Sequence, residues 1–309
     1  MITLRIEDTY KSIEEAARSA YGENVEITSF SQLCGGGINE TGKIGLSNGE
    51  KLFLKKNTIN NYKFFKTEAV GLKTLCKTGQ IGVPQLFGTG IDKERGFSFL
   101  LLEYIENTRP RKNYWEYFGH QLAGMHKAQT ADILPEEAGK GMFGFVEDNF
   151  IGAFPQKNTP RESWTEFYRE CRLIPQIKAA AHYFDVGIRR KLGKILDDLP
   201  KYLREPPFPS LLHGDLWAGN VMCGKGGRAW ILDPAVYIGD FETDLAMTEL
   251  FGGFPMAFYR AYHEENPIDE GYEQRKKYYH LYHLLNHLNL FGKGYLRNVV
   301  ETVNDCASM

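Results

Sequence analysis

Cysteine is sparse and unpatterned in this chain. Cys34, Cys76, Cys171, Cys223 and Cys306 are scattered through 309 residues, odd in number and without a C-x-x-C pair, so neither a disulfide framework nor a zinc site is expected. No apolar run approaches the ~18 residues that read as a membrane span. The segment MITLRIEDTYKSIEEAARSAYG is acidic and lacks the apolar block of a signal peptide. The expectation is a cytoplasmic protein with no membrane partner. Charge of one sign is missing too: Lys and Arg against Asp and Glu give 37 − 39 = −2, interspersed, which argues against nucleic acid as a partner. There is no internal repeat and no low-complexity stretch. What is present is a 42% hydrophobic chain, enough for one large core or two smaller ones, and the length favours two lobes.

Patterning divides the chain. Residues 6–21 read as a helix. VEITSF, the glycine cluster LCGGGINETG and KIGLSNGEKLFLKK follow as strands, with Asn48-Gly49 as a hairpin signal. NYKFFKTEAVGLKTLCKTG carries Phe65, Ala69, Leu72 and Leu75 at helical spacing and ends at Gly79. GVPQLFGTGIDKERGFSFLLLEYI supplies two more strands. Beyond Pro110 the pattern turns to long helices: NYWEYFGHQLAGMHKAQT, ESWTEFYRECRLIPQIKAAAHYF and IRRKLGKILDDLPKYL, the last broken by REPPFPS. The expected class is α+β: a small antiparallel-sheet lobe with a helix over 1–103 and a larger, mainly helical lobe over 104–309, joined through Glu103 to Asn107. A ligand is expected in the cleft between them.

The chemistry concentrates after REPPFPS, in HGDLWAGNVMCGKGGRAWILDPA. Val221 to Cys223 and Arg228 to Leu232 read as short strands around Gly224-Lys225-Gly226-Gly227. Asn220 and Asp233 then fall at the open end of one hairpin, ~5 Å apart, as neighbouring strands are. One amide and one carboxylate oxygen suit Mg²⁺, which completes its octahedron with waters and substrate phosphates. Asp215 lies on the turn feeding the hairpin and suits a base aimed at an attacking hydroxyl. That set matches the phosphoryl-transfer template. The sheet lobe supplies the rest: a glycine loop, Gly35-Gly36-Gly37 with Ile38 and Asn39; a strand lysine, Lys55, with Phe53 on the face opposite Leu52 and Leu54; and Glu68, beside the apolar stripe of its helix, where a carboxylate is costly unless Lys55 pairs it. GINETGK, residues 37–43, is nearly a G-x-x-x-x-G-K-[ST] loop, but Ile44 replaces the hydroxyl residue and a hairpin follows instead of a helix.

Three segments carry a family likeness: HGDLWAGN, DPAVYIGDFETDLAMTELFGGFP and GFVEDNFIGAFPQKN. Together they resemble the fructosamine kinase (ketosamine-3-kinase) family, over nearly the whole chain. HGD-x-x-x-x-N alone marks the broader group of aminoglycoside and choline phosphotransferases with a protein-kinase-like fold; Trp217 and the long DPA…GGFP block narrow it. The resemblance implies a two-lobe fold with ATP in the cleft, ATP and Mg²⁺ as cofactors, Asp215 as proton acceptor, and Asn220 and Asp233 as metal ligands. It also implies Lys55 and Glu68 as the phosphate-side pair and Glu103, Tyr104 and Ile105 as the adenine-contacting joint. The implied reaction is ATP-dependent phosphorylation of the sugar 3-hydroxyl of ketosamines, small or protein-bound glycated amines, in a deglycation role; the chain is expected to be a monomer or homodimer.

Other conspicuous residues have plainer readings. His213 and His126 read as structural, and Asp244 as a brace for the catalytic turn. His280, His283 and His287 share a helix face but lack a nearby carboxylate ligand, so they read as packed core or cleft wall. Trp217 suits an apolar substrate wall, and Cys34 an inert buried thiol. Two alternatives stay open: a hydroxyl kinase of the aminoglycoside or choline type, and a nucleotide-binding pseudokinase, against which the intact Lys55, Glu68, Asp215, Asn220 and Asp233 weigh.

Overall fold

In a computed structural model, which describes residues 9–33, 38–134 and 143–308, the first element differs from the helix expected over 6–21. Thr9–Tyr10 is a short strand (β1), and the helix (α1, Ile13–Tyr21) starts only after Ser12, whose hydroxyl accepts the Glu15 N–H at 3.1 Å. An N-cap serine takes an extended backbone, so the helical pattern cannot run through it. Cys34 and the three glycines Gly35, Gly36 and Gly37 lie outside the described residues.

Five further strands follow: β2 (Ile27–Leu33), β3 (Glu40–Leu46), β4 (Lys51–Thr58), β5 (Leu86–Asp92) and β6 (Phe97–Glu103). They join β1 in one sheet ordered β1-β5-β6-β4-β3-β2, antiparallel throughout except for the β1–β5 pair. The β3–β4 turn uses Gly49 at φ 87°, a conformation open to glycine at little cost. Residues 40–46, which take in the second half of the near-miss phosphate loop and run on past it, form strand and not helix. Period-two alternation sends Leu52 and Leu54 into a core with Ile44, Leu46, Leu101 and the Ile13–Ala16–Ala17 face of α1. The long helix α2 (Tyr62–Lys77) buries Phe65, Leu72 and Leu75 and packs on β5 and β6.

The chain divides into two compact units, one formed by the chain up to Lys112 together with Met222–Leu232, the other by Asn113–Val221 and the chain from Asp233 on. The second unit is mostly helical: α3 (Tyr114–His126), α4 (Thr130–Ile133), α5 (Trp164–Phe167), α6 (Ile174–Ala180), α7 (Val186–Tyr202), α8 (Glu242–Leu250), α9 (Met256–Glu265), α10 (Tyr272–Phe291) and α11 (Leu296–Ala307). A hairpin β7–β8 (Asn149–Ile151, Phe154–Gln156) and a strand pair β9–β12 (Ser210–Leu212, Tyr237–Gly239) complete it. Between β9 and β12 in sequence, the hairpin β10–β11 (Val221–Gly224, Arg228–Ile231) belongs largely to the first unit, where Ile231 N–H donates to Gly82 O and Thr108 N–H to Cys223 O.

The helical run expected over ESWTEFYRECRLIPQIKAAAHYF is not uniform. Tyr168–Leu173 is a π-helical turn between α5 and α6. Pro175 explains it: without an N–H it cannot bond the Cys171 carbonyl, which instead accepts from the Arg172 guanidinium at 3.1 Å. No helix among the described residues is long and apolar enough to cross a membrane.

Candidate active site

Strand β9 delivers the chain into His213-Gly214-Asp215. Gly214 sits at φ 81°, and a Cβ there would lie 2.1 Å from the Ala235 carbonyl oxygen, so only glycine allows the two backbones this approach. The contact is tied by Ala235 N–H donating to His213 O at 2.8 Å. Asp244, in the first turn of α8, accepts the N–H groups of His213 and Gly214 at 2.7 and 2.9 Å. It also accepts His126 Nε2 at 3.2 Å, while His126 Nδ1 takes the Tyr262 hydroxyl at 2.8 Å. These bonds hold the buried Asp244 carboxyl below its ordinary range, against the desolvation that would raise it. Both histidines, His126 and His213, are buried, and His213 Nδ1 accepts the Asp215 N–H at 3.3 Å.

Asp215 keeps partial access to solvent, yet its carboxyl is enclosed. Burial first, and the neighbouring negative charge of Asp233 second, push it up to about 7, with the Asn220 amide opposing. Asn220 ends a 3₁₀ turn, Ala218–Asn220, and its Nδ2 donates to the Asp215 backbone oxygen at 2.8 Å and to Oδ2 at 3.2 Å. Both amide protons are thereby engaged on Asp215, leaving Oδ1 as the atom a cation could take. Asp233 follows β11 at φ 54°, the one non-glycine residue at positive φ among those described, and it precedes a proline, which disfavours helical backbone further. Strain of this kind costs about 1–3 kcal/mol and persists only where the surroundings impose it. Asn220 and Asp233 thus bracket the β10–β11 excursion.

The donor set fits a hard cation that brings its own ligands. Asp233 lies close enough to Asp215 for its negative charge to bear on the Asp215 carboxyl. No group of three or more His, Cys, Asp or Glu that could hold a metal occurs among the described residues. One amide oxygen and one carboxylate would hold Mg²⁺ only together with phosphate oxygens and water.

In the first unit, Lys55 Nζ and Glu68 Oε1 are 2.7 Å apart, with side-chain exposures of 4% and 13%. An enclosed ion pair of this kind is costly to break by removing one partner. Asn57 Nδ2 donates to Ile38 O at 3.2 Å and to Asn39 Oδ1 at 2.8 Å, which fixes the described end of the glycine loop to β4. At the end of β6, Glu103 N–H donates to Gln85 O and Glu103 Oε2 accepts Gln85 N–H; the Lys43 ammonium stands 5.2 Å from the Tyr104 ring centroid; Ile105 is buried.

On α10, His283 is fully buried with neither ring nitrogen partnered among the described residues, and burial drives it down to about 3. His280 Nε2 bonds the Ala246 carbonyl and His287 Nδ1 the His283 carbonyl. Trp217, two residues beyond Asp215, is 36% exposed and lies 6.2 Å from Phe251, which packs on His287 and Tyr295. Sequence reasoning passed over a buried polar group centred on Gln156 and Arg172, although the segment GFVEDNFIGAFPQKN that carries most of it stands out in the chain.

A mixed α+β chain with an N-terminal sheet, a helical remainder and an Asp–Asn–Asp set at the end of a hairpin defines the class of protein-kinase-like phosphotransferases. The profile of the family described as fructosamine kinase matches residues 9–309, and the chain belongs to that family. It is similar to a probable ketoamine kinase of Synechocystis, 38% identical over 304 residues and 96% of each chain. A chloroplastic protein-ribulosamine 3-kinase of Arabidopsis thaliana is 38% identical over 290 residues, 93% of this chain and 85% of that one. Among solved structures, one assigned as a fructosamine-3-kinase of Haemophilus somnus superposes with a TM-score of 0.83 at 29% identity, covering 97% of this chain and 98% of that one. An aminoglycoside 2′-phosphotransferase bound to GDP gives a TM-score of 0.58 at 13% identity, covering 95% of this chain and 96% of that one, a likeness of fold alone.

Proposed function

We propose that this chain transfers the γ-phosphoryl group of ATP to the 3-hydroxyl of ketosamines, the sugar adducts of small or protein-bound amines, and so acts in deglycation. The observation that carries the reading is Asp215: a carboxyl raised to about 7 by burial and by Asp233, on a turn braced by Asp244. A base near neutral pH is ionised often enough to act and basic enough to take a hydroxyl proton. Asp215 accepts the proton of the sugar hydroxyl as its oxygen bonds to phosphorus and the bond to ADP breaks. Asn220 steadies Asp215 through Nδ2 and presents Oδ1, with Asp233, to Mg²⁺; when bound, the ion neutralises charge on the phosphates. Lys55, held by Glu68, takes phosphate oxygens, and Glu103 to Ile105 with Ile38 and Asn39 contact the nucleotide.

The Trp217, Phe251, His287 and Tyr295 rings suit the apolar faces of a sugar chain carrying one cationic amine. The test is ADP release with fructosyl- or ribulosyl-lysine, followed by ³¹P spectroscopy. A sugar phosphate that decays to inorganic phosphate is expected; ADP release without a phosphorylated adduct would defeat the reading.

A further inference from the structure

The hairpin β7–β8 and the segment after it bury Asn149, Gln156, Asn158 and Arg172, each no more than 5% exposed. Gln156 is their hub. Its Nε2 donates to Asn149 Oδ1 at 2.9 Å and to the Ala235 carbonyl at 3.1 Å, and its Oε1 accepts the Tyr282 hydroxyl at 2.6 Å. Asn149 Nδ2 donates to the Val236 carbonyl at 2.8 Å. Asn158 Nδ2 joins Gln156 on Asn149 Oδ1 at 2.9 Å, and Asn158 Oδ1 accepts from Arg172 at 2.8 Å. Amide orientations are fixed by this pattern, because a flipped Asn149 would set N–H against N–H. Arg172 has no carboxylate within ion-pair range among the described residues. Its charge is met by carbonyl and amide oxygens and by the Tyr237 and Phe167 rings, 3.8 and 4.6 Å from the guanidinium carbon.

A hairpin that needed only to be packed would be served as well by apolar side chains, since buried amides stabilise only when every member is satisfied. Here the outgoing donors share one destination. Gln156 and Asn149 bond the two consecutive carbonyls, Ala235 and Val236, that follow Asp233-Pro234, and Gly144 exchanges both backbone bonds with Ile238 at 3.0 and 2.7 Å. Ala235 N–H is meanwhile taken by His213 O. The segment leaving Asp233 is thus pinned from both sides, and a left-handed, pre-proline Asp233 is a conformation that must be imposed.

We infer that Gln156 is a positioning residue for Asp233: through Ala235 and Val236 the β7–β8 hairpin sets the backbone that aims the Asp233 carboxylate at the metal–nucleotide, in register with Asp215. The inference rests on the proposed reading of Asp233 as a metal ligand. Partners that orient a metal ligand typically change affinity by about 10–100-fold when removed.

The experiment titrates Mn²⁺ into the protein with a non-hydrolysable ATP analogue and reads free Mn²⁺ by electron paramagnetic resonance, alongside the unfolding midpoint. Gln156→Met, close in shape but without either amide group, is expected to weaken Mn²⁺ binding about tenfold and to raise the KM for metal·ATP without changing that for ketosamine. Tyr282→Phe loses a bond of the same network on the side away from the loop; it should lower the midpoint comparably and keep Mn²⁺ affinity within about twofold. Should Gln156→Met fail to fold, Asn149→Ser removes the Val236 bond and carries the same expectation. Asp233→Asn is the control. If it too binds Mn²⁺ like the wild type, the metal reading of Asp233 falls and the positioning role with it. If Asp233→Asn weakens binding while Gln156→Met does not, or if Tyr282→Phe weakens it equally, the positioning role alone is overturned.

Discussion

Asp215 and Asp233 carry the same group, yet their surroundings differ in ways that suit the different work proposed for them. Asp215 is held by Asn220 and raised by enclosure, which suits proton transfer; Asp233 stands at a forced backbone angle, which suits aiming an oxygen. Asp215→Asn is expected to lower kcat on the order of 10²-fold or more with metal·ATP binding nearly intact. A variant with wild-type kcat would remove Asp215 as the base. Asp233→Asn should instead raise the Mg²⁺ requirement, and asparagine tolerates a left-handed backbone, so the loss would report the ligand and not the fold. Mg²⁺ titrations of initial rate distinguish the two. At this scale much was legible. A carboxylate beside an apolar stripe and a lysine on a strand thirteen residues away called for each other, and Lys55 and Glu68 stand at 2.7 Å. The left-handed Asp233 was not legible, because no local signal marks it: Asp before Pro reads as extended chain.

Elements explain where pattern reading stopped. A hydrophobic period gives a helix but not the residue that caps it, so β1 was absorbed into α1 until the Ser12 cap separated them. Likewise ESWTEFYRECRLIPQIKAAAHYF keeps its apolar period through the π-helical turn, and only the missing N–H of Pro175 breaks the bonding. The histidines of α10 are the clearest element-scale consequence. His280, His283 and His287 all lie below their ordinary 6.5, chiefly through burial, with His283 lowest at about 3. The folded state therefore refuses a proton that the unfolded chain accepts. The contribution is fully present above pH 6.5 and is lost as pH falls toward about 3. One such proton corresponds to about 1.4 kcal/mol of unfolding free energy per pH unit. His283→Leu should flatten the acid limb by about one proton, measured by urea unfolding at several pH values between 4 and 6.5. An unchanged slope would mean that His283 is not the neutral buried group described.

For the whole molecule, the fold does not choose the substrate, since one architecture also serves phosphotransferases of very different acceptors. The choice must come from the side chains near Asp215. Aminoglycosides are polycations and call for several carboxylates able to meet ammonium groups. The segment YYHLYHLLNHLNLFGKGY of α10 and the turn beyond it has none. Its amides are not free to substitute: Asn286 Oδ1 accepts from Gln176 Nε2 at 3.0 Å, and Asn289 Nδ2 donates to the Gln176 backbone and side-chain oxygens. The large side chain exposed on the turn beside Asp215 is aromatic, Trp217. Rings offer a face to one amine and to the C–H edges of a sugar, but nothing to balance four or five charges. A net charge of −2 spread through the chain adds no acidic field to gather a polycation. Ketosamines are therefore expected to be phosphorylated, with no comparable turnover of kanamycin-like compounds or of choline, in a coupled ADP assay run at equal acceptor concentrations. Trp217→Ala is expected to raise KM for the ketosamine by about tenfold while KM for ATP stays within about twofold, because the proposed reading puts the ring on the acceptor side of the site. Faster phosphorylation of an aminoglycoside or choline than of every ketosamine tried would overturn the substrate assignment and leave phosphoryl transfer from ATP standing.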